Sequence, residues 1–80
     1  MLIMTDTFIP YDFNCKEKCL QYVVERCHNI RHSLRLVDMD DEHIRVRCPI
    51  VGDYLNIIGS EEDLKWLHNM LIEQSWYRTD

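Results

Sequence analysis

Eighty residues, 46% hydrophobic and 29% charged, with only two Gly and two Pro, make one folded domain rather than a disordered or low-complexity segment. The net charge of -5 argues against non-specific binding to nucleic acid or to an anionic membrane. No run approaches a membrane span. Met1-Leu2-Ile3-Met4 is cut off by Thr5 and Asp6, too soon for the core of a secretion signal, so the four Cys are expected to be reduced thiols of a cytoplasmic protein.

Residues 1–13 carry Leu2, Ile3, Phe8, Ile9 and Phe13. They are expected to form an extended segment packed on the domain, with a short edge strand over Leu2 to Met4 or Thr7 to Ile9. Pro10 marks a break and pushes Ile9 toward extended geometry. The first helix is expected to begin at Asn14, a good N-cap with Glu17 at the N3 position. Cys19, Leu20, Val23, Cys27 and Ile30 recur at i, i+3/i+4 spacing and form its buried stripe, which carries the helix to Asn29 to Arg31.

Ser33 to Val37 reads as a strand with Leu34 and Leu36 inward. Asp38 to Glu42 is a polar turn, and an odd number of loop residues keeps Leu36 and Ile44 on one face. His43 to Ile50 has the clearest pattern. Ile44, Val46, Cys48 and Ile50 alternate with His43, Arg45 and Arg47, the period of a strand buried on one side. Gly52-Asp53 suits a two-residue hairpin turn, which pairs Val51 with Tyr54, Ile50 with Leu55 and Cys48 with Ile57. Leu55 and Ile57 then share the inward face. Ser60 caps the second helix, with Glu61, Glu62 and Asp63 in its first turn, where the macrodipole favours anions. Leu64, Leu67, Met70 and Leu71 form its stripe, and fraying is expected from Trp76 to Asp80. The fold expected is α+β over residues 1–80: a two-layer sandwich of helix, three-stranded antiparallel sheet and helix (αβββα), with room for a short N-terminal edge strand.

The thiols and imidazoles invite a metal reading through Cys15, Cys19, Cys27, His28, His32 and Cys48. Zinc needs about four ligands converging from short spacings, whereas Cys19, Cys27 and Cys48 fall on core positions, where thiols behave as small apolar groups. No metal and no cofactor is expected. Asp38 to Glu42 resembles a calcium loop in composition only, without its Gly or its distal Glu. No Gly-rich phosphate loop or nucleophile elbow is present, and Cys15 is far along the helix from His28 and His32. No catalytic residues are assigned.

The uncovered sheet face is the stronger candidate. Arg35, His43, Arg45, Arg47, Tyr54 and Asn56 are expected on it, together with Val37 and Ile58. Like charges across strands are unfavourable unless compensated, and a solvated face with its arginines paired to Asp38, Glu42 or Asp53 is the plain alternative. Arg and Tyr are also the residues that anchor protein interfaces. A second apolar surface is expected from Trp66, Ile72 and Trp76, with Tyr77, covered by the N-terminal segment through Phe8 or Phe13 or meeting a partner. The leading expectation is a small non-enzymatic cytoplasmic adaptor or inhibitor, of bacterial or phage kind, that binds another protein through the Arg/Tyr face as a monomer or homodimer. A self-associating regulatory domain for a small anion comes second. A structural-zinc or nucleic-acid-binding module comes third, the nucleic acid disfavoured by net charge.

Overall fold

The computed structural model describes residues 1–5, 10–50 and 52–78. Its elements are β1 (Leu2–Thr5), β2 (Pro10–Asp12), α1 (Lys16–Arg26), β3 (Arg35–Met39), β4 (His43–Cys48), β5 (Asp53–Ile58) and α2 (Glu61–Glu73). The strands form one antiparallel sheet in the order β2-β1-β5-β4-β3. Its inward residues Ile3, Ile44, Val46, Cys48, Leu55 and Ile57 meet Cys19, Val23 and Cys27 of the first helix segment and Leu64, Leu67 and Leu71 of α2 in one core. The α+β class holds, but the sheet has five strands rather than three.

The two added strands come from the N-terminus. β1 is no edge strand: it lies between β2 and β5, with Ile3 opposite both Tyr11 and Ile57. The hairpin closes where the Met1 amine donates to the Phe13 carbonyl at 3.1 Å and the Phe13 N–H to the Met1 carbonyl at 2.8 Å. Thr7 to Ile9, and Phe8 as a packing partner, lie outside the described residues.

α1 starts one residue later than Asn14 implies. Cys15 is the N-cap, in extended backbone and with no side-chain cap. The helix also stops early, at Arg26. His28 and Asn29 have φ of 53° and 57°; the His28 N–H donates to the Glu25 carbonyl and the Asn29 N–H to that of Val24. This is a Schellman ending, which satisfies the last free carbonyls. Ile30 is thereby carried off the stripe and is exposed.

α2 ends in the same way. Ser75 has φ of 60°, its N–H donates to the Ile72 carbonyl, and the Trp76 N–H donates to that of Leu71. The reversal returns Trp76 to the core and lays the tail beside the start of β3, where Leu34 bridges Tyr77 in parallel. Left-handed backbone is unfavourable at a residue with a Cβ. Ser75→Gly is therefore expected to raise the unfolding free energy by about 0.5–1 kcal/mol, seen as a higher urea midpoint at unchanged slope. The start of α2 matches expectation: the Ser60 hydroxyl accepts from the Asp63 N–H at 3.2 Å.

Both hairpin registers differ from expectation. Pro49 has no N–H to give a ladder, so β4 ends at Cys48 and the connection is the four residues 49–52. Gly52 sits at φ 78° and donates its N–H to the Cys48 carbonyl at 2.7 Å. Cys48 pairs with Asp53, Arg47 with Tyr54, Val46 with Leu55 and Ile44 with Ile57. Ile50 is left exposed in the loop, and Val51 lies outside the described residues. On the other side of β4, Asp38 and Met39 belong to β3 rather than to the turn. A bulge between Leu36 and Asp38 brings Leu36 opposite Val46. Leu36 remains exposed because β3 is the edge strand.

Candidate interaction surface

The antiparallel register places the outward side chains in three rows. Arg35, Arg47 and Tyr54 form one; Asp38, Arg45, Asn56, Met4 and Pro10 the next; His43, Ile58, Leu2 and Asp12 the last. All six residues expected on the face, Arg35, His43, Arg45, Arg47, Tyr54 and Asn56, are thus brought onto one side of the sheet, opposite the side that holds the helices. Val37 is the extra residue at the bulge and belongs to no row. The share of β1 and β2 in this face was not legible from sequence. Leu2, Ile3 and Met4 are all apolar, so their alternation carries no contrast between inside and outside.

Tyr54 organises the cationic rows. The Arg45 guanidinium lies 4.5 Å from its ring centroid and that of Arg47 5.8 Å, distances at which a cation is attracted to the ring face. Arg45 also donates to the Asn56 side-chain oxygen at 2.9 Å. Among the described residues no carboxylate ion-pairs with either arginine, and Nε of Arg47 is buried with no acceptor. The alternative pairing of these two arginines with Asp53 is not found among the described residues: Asp53 is on the helix face, where it pairs with Arg26. Asp38 is instead directed at His43, 3.5 Å from Nε2, while Asp40 lies 2.9 Å from Nδ1. Backbone N–H groups of Glu42 and His43 donate to the Asp40 carboxylate and hold it below the ordinary carboxylate range. Asp40 and His43 therefore build the turn.

Trp66, Ile72 and Trp76 do not form one apolar surface. Trp76 is 7% exposed and belongs to the core. Trp66 is half-buried against that core, with the Lys16 ammonium 5.0 Å from its ring. Ile72 alone of the three is exposed, at 54%. Phe13 packs against Tyr22 of α1, ring centroids 5.4 Å apart, not against the tryptophans. Tyr77 is half-buried and its hydroxyl lies 2.9 Å from Nδ1 of His68.

The thiols and imidazoles do not converge on a metal. Among the described residues no three of His, Cys, Asp or Glu are grouped to hold one. Cys19, Cys27 and Cys48 are in the core, Cys15 starts α1, and His28 and His32 sit in the connection to β3. Among the described residues no helix is long and apolar enough to cross a membrane.

No family model, curated protein or solved structure matches the chain. What the surface can do follows from its own groups. The two guanidiniums share the Tyr54 ring, and among the described residues no carboxylate ion-pairs with either. Guanidinium forks match carboxylate or phosphate oxygens. Leu2, Met4 and Ile58 beside them add apolar area that such contacts can enclose.

Proposed function

We propose that the chain is a small cytosolic interaction protein, an adaptor or inhibitor without catalysis of its own, which docks on an acidic protein surface through Arg35, Arg45, Arg47, Tyr54 and Asn56. The observation that carries this reading is the sharing of the Tyr54 ring by Arg45 and Arg47 on the sheet face away from the helices. Stacking restricts both arginines before a partner arrives, which lowers the ordering cost of binding. Among the described residues no carboxylate neutralises them, which favours an acidic partner and fast encounter. Asp38 and Asp12 lie at the margins of the face and help to fix orientation.

The register selects the variant that tests this. Glu at position 47 would face Arg35, whereas Glu at position 45 would face Asp38, so Arg47→Glu is combined with Arg45→Gln. The double variant is expected to melt within a few degrees of the wild type and to lose affinity for the physiological partner by about 100-fold or more. Immobilised wild type and variant are compared side by side in the same cell extract, followed by titration of the retained protein at increasing salt. A partner held equally by both, or held with no salt dependence, defeats the reading.

A further inference from the structure

We propose that Cys27 and Cys48 form an oxidation site that closes into an intramolecular disulfide when a peroxide reaches it. The inference is independent of the proposed function, because it rests on the placement of two sulfurs in the core. Their Sγ atoms are 3.0 Å apart, about 1 Å more than a covalent S–S bond. Both are free thiols, buried, and separated by 21 positions along the chain. Cys27 is the C-cap of α1 and Cys48 the last residue of β4, so closure joins the end of a helix to the sheet beneath it with a small movement of two side chains.

The surroundings favour one sulfur as the first to react. Once Cys27 loses its proton, the Cys48 thiol donates to it, and this hydrogen bond is the main cause that holds Cys27 below the ordinary thiol range, to about 7. The neighbouring Arg26 charge acts in the same direction, against the opposing effect of burial. Cys48 is pushed up by the same hydrogen bond and by burial. Cys19, in contrast, is pushed up to about 12, chiefly by burial, and remains a protonated core thiol. The pair is flanked by the Arg26–Asp53 ion pair, whose side chains are 31% and 38% exposed. An oxidant as small as hydrogen peroxide suits so enclosed a place.

The chemistry balances with that oxidant alone. The Cys27 thiolate attacks one peroxide oxygen, the O–O bond breaks, and hydroxide leaves with the proton that Cys27 gave up, as water. Cys27 is then a sulfenic acid. The Cys48 sulfur attacks the Cys27 sulfur, the S–O bond breaks, and the departing hydroxide takes the Cys48 proton as a second water. Two thiols and one peroxide give one disulfide and two waters, the two electrons lost by sulfur having reduced the peroxide.

The test uses the folded, reduced full chain treated with hydrogen peroxide, cleared of peroxide, then unfolded in urea containing N-ethylmaleimide and digested with trypsin. Cleavage after Lys16, Lys18, Arg26, Arg31, Arg47 and Lys65 puts each of the four cysteines in a different peptide. The expected product is peptide 27–31 joined to peptide 48–65, with an intact mass lower by two hydrogens. The melting temperature should rise by about 10 °C or more, as for closure of a loop of this length. Cys27 and Cys48 both blocked by maleimide after oxidation of Cys15, linkages through Cys15 or Cys19, a 27–48 link made only in urea, or a link that lowers the melting temperature would each overturn the proposal.

Discussion

Trp76→Ala is expected to cost about 3–5 kcal/mol of unfolding free energy, a large part of the total for a domain of this size. The indole of Trp76 is buried in the core, and the main chain of this residue is engaged on both sides. Its backbone N–H closes the end of α2 on Leu71. Its carbonyl accepts from the Leu34 N–H at 3.0 Å, which docks the tail beside β3. Its Nε1 donates to the Gln74 side-chain oxygen at 2.9 Å, under the Arg31 guanidinium 4.6 Å from the ring. Arg31 in turn donates to the Gln74 carbonyl. Truncation leaves a cavity beside Leu34 and Leu71 and loosens the tail that carries Tyr77. Ile72→Ala is the matched control. Its side chain is mostly in water, so a change within about 0.5 kcal/mol is expected. Urea titration followed by far-UV circular dichroism separates the two, and equal losses would mean that Trp76 is not part of the core.

Trp76 also shows where the sequence stops being informative. Its expected place on an apolar surface assumed a helix continuing to residue 76. Helix ends are usually announced by glycine, and here the left-handed positions are His28 and Ser75, which carry no such signal. Past those points a helical position no longer says which way a side chain faces, and Ile30 leaves the buried stripe for the same reason. The faces of the sheet were legible for a different reason. The connection between β4 and β5 is four residues where two were expected, so Cys48 meets Asp53 instead of Ile57. That slip is an even number of positions, and an even slip leaves every side chain on its own face. The bulge at Val37 likewise restores Leu36 to the Val46 side. Arg45, Arg47, Tyr54 and Asn56 could therefore be grouped from pattern alone, while their neighbours across the sheet could not. The approach of both arginines to the Tyr54 ring depends on the register itself, which the pattern does not carry.

Ile3→Ala is expected to cost about 2–5 kcal/mol, and this result distinguishes an interior β1 from a peripheral one. Ile3 is fully buried and paired on both sides, with Ile57 and Tyr11. On an edge strand laid over the domain the same substitution would remove a half-exposed side chain and cost far less. Tyr11→Ala supplies that comparison within the sheet. Tyr11 is on the edge strand β2, partly exposed, and its main ring contact is Tyr22 at 5.1 Å, so a loss of about 1 kcal/mol is expected. The backbone sets the larger effect. β5 has β4 on one side and β1 on the other; deleting residues 1–13 would uncover a row of unpaired N–H and C=O groups beside Leu55 and Ile57. An open apolar edge of that kind pairs with other chains, so the truncated protein is expected to lose its cooperative melting transition or to aggregate. Amide hydrogen exchange gives an independent measure on the intact chain. The Ile3 amide should be protected nearly as well as those of β5, and rapid exchange there, with a cooperative truncated protein, would return β1 to the periphery.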